Sequence, residues 1–109
     1  MTKTIFDPAL GAHLAEHGAQ ISWDYSAETF KDTAAQTVLD VARMRHDFTT
    51  DDIIRWTETH RRPAPDNNSA WGHIIKQLAK QGHIVFTGNY RTSERANAHS
   101  KPLRIWRRA

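Results

Sequence analysis

Trp71, Ile74, Ile75, Leu78 and Ala79 follow the i, i+3, i+4, i+7, i+8 spacing of one apolar helical stripe. This predicts a helix from about Asn68 to Gln81, closed by Gly82, a residue suited to the left-handed conformation that ends helices. Upstream, Phe30, Ala34, Val38, Val41 and Ala42 keep the same period. They predict a helix that starts at Ser26, whose hydroxyl can cap it, and ends near Arg45 or Asp47. Between these stripes, "FTTDDIIRWTETH" signals a third helix through its end chemistry. Thr49 is the cap, Asp52 lies three residues on as a capping box requires, and Phe48 and Ile53 stand where a hydrophobic staple closes. Asp51 and Asp52 also suit the positive end of the helix dipole. In "RRPAPDNN", Pro63 and Pro65 oppose helix and break the chain before the last stripe.

After Gly82 the period changes. Ile84 to Thr87 is β-branched and aromatic, and Leu103 to Arg107 alternates as "LRIWR". Two strands are expected, joined by a long loop from Gly88 to Pro102. Near the start, "FDPALGAHLAEHG" predicts a short helix after Pro8, stopped by Gly18, and "AQISWDYS" reads as an irregular or short extended link. The order from residue 26 is helix, helix, helix, strand, loop, strand. Residues 1–25 are expected to form an extension that buries Trp23 and Tyr25 against the far side of the domain or in a dimer contact. Phe30, Val38, Phe48, Ile53, Ile54, Trp71, Ile74, Ile75, Leu78, Ile84, Phe86, Leu103 and Ile105 are the expected core. Trp56, Trp71 and Trp106 belong to that core or its rim.

The 109 residues suit one domain with a modest core. There is no cysteine, which excludes disulfides and thiolate chemistry. No apolar run approaches the ~18 residues of a membrane span. The first residues lack the apolar segment of a signal peptide, so a cytosolic protein is expected. Charge adds more. Residues 1–52 carry 4 basic and 9 acidic side chains, whereas residues 53–109 carry 11 basic and 3 acidic. A basic half with Phe86, Tyr90 and Trp106 in its last stretch points to a polyanionic partner. Uneven solvation of a surface would leave the same charge pattern.

The segments "FTTDD", "AWG", "GHI" and "RIW" carry a resemblance. Residues Phe48 to Asp52, Ala70 to Gly72, Gly82 to Ile84 and Arg104 to Trp106 resemble winged helix-turn-helix domains, and in particular small proteins encoded by bacteriophages. The resemblance covers roughly the last 60 residues. It implies an α+β winged helix over residues 26–109, made of a three-helix bundle and a C-terminal two-stranded hairpin wing, with residues 1–25 as an N-terminal extension. It further implies a recognition helix at 68–81 for the DNA major groove and a wing at 88–102 on the backbone. The protein would then be a phage transcriptional regulator, or an accessory to replication or recombination, working in the host cytoplasm.

Read from the residues, the outer face of that helix and its first turn offer Asn67, Asn68, Ser69, His73, Lys76, Gln77 and Lys80. Asn and Gln pair with adenine, Lys with guanine or phosphate, and Ser with either. Gly72 keeps the helix slim for a groove, or makes room for packing against the first or second helix. The loop offers Arg91, Arg95 and Lys101 against one acid, Glu94, for phosphates or a minor groove. Tyr90 either joins that contact or covers the hairpin's apolar edge. Arg61, Arg62, Arg104, Arg107 and Arg108 are further candidates for backbone contacts, or simply exposed ends and turns.

Other chemistry finds less support. "HLAEH", His13 to His17, has the H-x-x-E-H form of one class of zinc proteases, but no third ligand or cleft accompanies it. Two surface histidines one helical turn apart explain it more simply. No nucleophile motif, phosphate-binding glycine loop or carboxylate cluster for magnesium is present, and the cap accounts for Asp51 and Asp52. The expectation is a non-enzymatic protein without cofactor, metal or membrane contact, binding double-stranded DNA and able to form a homodimer. The alternative is a protein-interaction module through which a phage factor redirects a host protein. RNA binding through duplex shape is a third reading.

Overall fold

The computed structural model describes residues 18–95 and 101–109. The expected Phe6–Gly18 helix lies outside the described residues except at its last position, as do His13, His17 and most of the extension. Gly18 does not stop a helix. Residues 18–24 are helical (α1), and the expected link "AQISWDYS" is largely part of that helix. Ala19, Ser22 and Trp23 have helical spacing, and it is their side that is covered, with Ala19 buried and the other two half-buried. Two apolar positions in one turn are too few to stand out in the sequence.

Helix α2 spans Glu28–Met44, and its N-cap is Ala27, with no side-chain cap. The expected cap, Ser26, instead donates its hydroxyl to the Ser22 carbonyl at 2.7 Å, one turn back in α1. Helix α3 spans Thr50–Thr59 and has the expected capping box, with the Thr49 N–H donating to Asp52 Oδ2 at 2.9 Å. Phe48 and Ile53, the staple pair, are fully buried. Helix α4 spans Ala70–Lys80, two residues later than predicted at its start, because i→i+3 bonds from Ala70, Trp71 and Gly72 form a tighter turn over residues 67–69.

Two helix ends share one device. At α4, Gly82 (φ 85°) sits left-handed, while the N–H groups of Gly82 and His83 bond back to Ala79 and Leu78. At α3 the same pair of bonds runs from Arg61 and Arg62 to Glu58 and Thr57, but the left-handed residue is Arg61 (φ 51°). A side chain there is strained where glycine would not be.

Strands β1 (Ile84–Thr92) and β2 (Pro102–Arg108) pair antiparallel, with Phe86 opposite Trp106 and Tyr90 opposite Arg104. Both exceed their predicted lengths, and they take in the two ends of the expected Gly88–Pro102 loop. The register is irregular between Phe86 and Tyr90, where Gly88 takes φ 88°. Gly88 thus absorbs extra chain within the strand rather than ending it. On the other edge of β2, Phe48 and Trp106 exchange backbone hydrogen bonds of 2.9 and 2.8 Å. The segment between α2 and α3 therefore lies against the sheet, with β2 in the middle.

The core gathers Phe30, Ala34, Val38, Val41 and Ala42 of α2, Ile53 and Ile54 of α3, and Ala70, Trp71, Ile75 and Leu78 of α4. Phe48, Ile84 and Trp106 complete it. Phe30 meets Trp71 edge-on at 4.8 Å. Four expected core residues are not fully buried, and of these Ile74 still packs against the core. Ile74, Leu103 and Ile105 are half-buried, and Phe86 is 38% exposed. Along "LRIWR" the chain buries Trp106 more deeply than Leu103 or Ile105, because a tryptophan bridged to both Phe48 and Phe86 removes more apolar area from water. Trp56 lies on the rim, stacked on His60 at 3.6 Å.

Candidate nucleic-acid interface

Helix α4 separates its two faces sharply. Trp71, Ile75 and Leu78 are buried, while Ser69, His73, Lys76 and Lys80 recur at spacings of three and four on the opposite side. Ser69, Lys76 and Lys80 are exposed, and His73 and Gln77 are half-buried. Asn67 and Asn68 are exposed in the turn before the helix, where Asn67 Oδ1 accepts the Ser69 N–H at 2.9 Å. From Ala70 to Thr92 the chain has no acidic residue, and none from Lys101 to its last residue.

One flank of this face is covered. Trp23 of α1 lies over His73, with ring centroids 4.8 Å apart, and also meets Phe30 at 5.5 Å. A Cβ on Gly72 would stand only 3.2 Å from Ala19 Cβ. Gly72 thus makes room for a neighbour, but the neighbour is α1 rather than α2 or α3. The described part of the extension packs on the proposed recognition helix instead of the far side of the domain. Tyr25, expected to be buried, is 86% exposed. Burial pushes the His73 imidazole below its ordinary pKa, Lys76 acts in the same direction, and Asp24 opposes both.

The hairpin tip holds an arrangement that sequence reasoning does not reach. The Asp51 carboxylate accepts hydrogen bonds from the Ser93 hydroxyl (3.1 and 2.9 Å), the Glu94 N–H (3.0 Å) and Arg95 Nε. Ser93 and Asp51 are both buried. Arg91 reaches Asp47 at 3.3 Å and Asp52 at 3.5 Å, and Asp52 also faces Arg45 and Arg55. Burial alone would raise the Asp51 pKa, but the bonds from Arg95, Ser93 and the Glu94 N–H outweigh it and hold the carboxyl below its ordinary value. Arg91 and Arg95, proposed for phosphate, therefore lie in ion pairs with the acidic start of α3, and Asp51 does more than favour a helix dipole. The signal is present as two charge sets of opposite sign, Asp47, Asp51 and Asp52 against Arg91 and Arg95, separated by about 40 residues of chain.

Other basic residues face outward. Lys101, Arg104, Arg107 and Arg108 on or beside β2 are exposed, as is Lys80. Among the described residues no carboxylate lies within ion-pair distance of any of these five. Arg62 instead joins Asp40 of α2 at 2.7 Å and helps fix the connection into α4, while Arg61 is exposed at the left-handed turn. Tyr90 is 57% exposed, beside Phe86.

No described helix is long and apolar enough to cross a membrane. Comparison with known protein families, with curated protein sequences and with solved structures gave no match.

Proposed function

We propose that the chain is a winged-helix protein that binds double-stranded DNA, with α4 in the major groove and the hairpin on the flanking backbone. The observation that carries this reading is the composition of α4 and β2 away from the core. The helix offers Ser69, His73, Lys76, Gln77 and Lys80, the strand and the residue before it offer Lys101, Arg104, Arg107 and Arg108, and neither element contributes an acid. Amide, hydroxyl and ammonium groups on a helix suit base edges and phosphates, and arginines on the hairpin that follows it suit the backbone. The bridge between Phe48 and Trp106 supports the plan of a helix bundle with a hairpin, since it ties the segment between the first two helices of the bundle to the edge of β2.

The geometry also divides the basic residues by role. Arg91 and Arg95 hold the hairpin tip to α3, so backbone contacts fall to Lys80, Lys101, Arg107 and Arg108. The test is binding of labelled duplex DNA across a salt series. Replacing Arg107 and Arg108 together should flatten the plot of log affinity against log salt by roughly 0.9 for each phosphate that is no longer neutralised. Replacing Asn68 or Gln77 should weaken a preferred sequence by ~1–3 kcal/mol more than random duplex. Failure of the intact protein to bind any duplex at low salt would overturn the proposal and favour a protein-interaction module.

A further inference from the structure

The hairpin carries a second surface that a groove-bound α4 does not use. Gly88, in its left-handed conformation, lies within the irregular register that brings Phe86 and Tyr90 together, four residues apart in sequence. Their rings meet edge-on with centroids 5.4 Å apart. Trp106, across the ladder, supports Phe86 at 5.7 Å. The guanidinium of Arg104, the cross-strand partner of Tyr90, stands 5.2 Å from the Phe86 ring centroid. Both rings are open to solvent, Phe86 by 38% and Tyr90 by 57%.

Two exposed aromatic rings next to a guanidinium, on strands without an acid, narrow the choice of partner. An apolar protein surface would cover the rings but would also strip water from Arg104 without offering it a counter-charge. An acidic peptide would satisfy Arg104 and leave the rings without a partner. A nucleotide out of the duplex stack satisfies both, because its base is a flat ring and its phosphate an anion. We propose that the Phe86–Tyr90–Arg104 face is a stacking platform for an unpaired base. The preferred ligand would then be DNA with a single-stranded extension beside the duplex, such as a fork or a tailed end. This inference rests on the nucleic-acid reading above and adds the kind of DNA.

Three labelled ligands separate the possibilities: a blunt duplex, the same duplex with a forked end, and a single strand of mixed sequence. Each is titrated with the intact protein and with Tyr90→Ala and Tyr90→Phe. The forked duplex should bind more tightly than the blunt one. Tyr90→Ala should weaken the forked complex by on the order of tenfold or more, the effect of losing one base–aromatic stack, and leave the blunt complex unchanged. Tyr90→Phe, which keeps the ring, should retain fork binding. Because Tyr90 is largely exposed, both variants should fold, and their thermal melts check this. Equal affinity for forked and blunt duplex, or equal loss on both from Tyr90→Ala, overturns the platform and leaves duplex binding standing. Binding of the single strand alone, abolished by Tyr90→Ala, supports the platform and overturns the groove reading. Binding of none of the three overturns both.

Discussion

Replacing Asp51 should release the hairpin tip from α3, and the size of the effect can be worked from its bonds. The carboxylate accepts from the Ser93 hydroxyl, the Glu94 N–H and Arg95 Nε. Hydrogen bonds to charged groups contribute ~1.5–3 kcal/mol each when buried. The Arg95 side chain remains about one-third exposed, so its share falls toward the ~0–1 kcal/mol of surface pairs. Ser93 is 5% exposed and would be left buried without its acceptor. Allowing for non-additivity, Asp51→Ala should cost ~2–4 kcal/mol, and Ser93→Ala ~1–1.5 kcal/mol, since the carboxylate keeps its other donors. The double variant should cost less than the sum, with a coupling of ~1–2 kcal/mol.

Urea unfolding followed by tryptophan fluorescence measures all three variants. A cost below ~0.5 kcal/mol for Asp51→Ala, or additivity within about that amount, would refute the tether. The pH dependence gives a second check. Burial by itself would raise the Asp51 pKa, but the donors around it win and lower it below 3.8. As pH falls, the unfolded chain therefore takes up the proton first. The stabilisation is complete above about pH 3.8 and is lost as pH drops below that value through the folded pKa. Asp40 is shifted in the same direction, so the diagnostic quantity is the difference between the intact protein and Asp51→Asn across that window.

Other perturbations address the rest of the molecule. Ile75, 4% exposed at the centre of the α4 stripe, should cost ~2–5 kcal/mol on truncation to alanine, read from the urea midpoint. Arg61→Gly should stabilise the protein by up to ~1 kcal/mol, because Arg61 holds a left-handed conformation that glycine adopts without strain, and a lower Tm would refute this. Trp23→Ala should raise the pKa of His73 toward 6.5 by uncovering it, as followed by NMR of the imidazole. In the intact protein the lowered His73 pKa means that the unfolded chain is protonated first. The contribution of neutral His73 is therefore full above about pH 6.5 and declines as pH falls below it, a decline Trp23→Ala should reduce.

What can be read from the sequence follows from how local each signal is. α4 is legible because five apolar residues and a glycine within twelve positions specify both its buried face and its end. α3 is legible because Thr49 and Asp52 satisfy each other's backbone across a single turn. The α2 period is equally plain, yet Ser26 serves α1 instead, since a hydroxyl between two helices can bond in either direction and its carbonyl partner leaves no trace in sequence. Gly88 reads as a strand end in sequence because glycine serves both turns and irregular strands, and only the pairing of Tyr90 with Arg104 distinguishes the two. The candidate site is legible on α4, where exposure follows from periodicity. It is less legible in the hairpin, where the partners of Arg91 and Arg95 lie about 40 residues away.

The uneven charge of the chain therefore has two components with different consequences. Part is internal: Asp47, Asp51 and Asp52 from the acidic half meet Arg91 and Arg95 from the basic half, and these groups fix where the hairpin tip sits. A phosphate near them would compete with carboxylates already in place. The other part is external, on Lys80 and along β2, where a phosphate would meet cations without a described counter-charge and displace only water and salt. Duplex affinity should then depend on α4 and β2, whereas Arg91 and Ser93 to Arg95 hold the end of β1 to α3. On the proposed reading α1 also matters to the face although it carries no basic residue: by lying over Gly72 and His73 it would set how far along α4 a groove could approach.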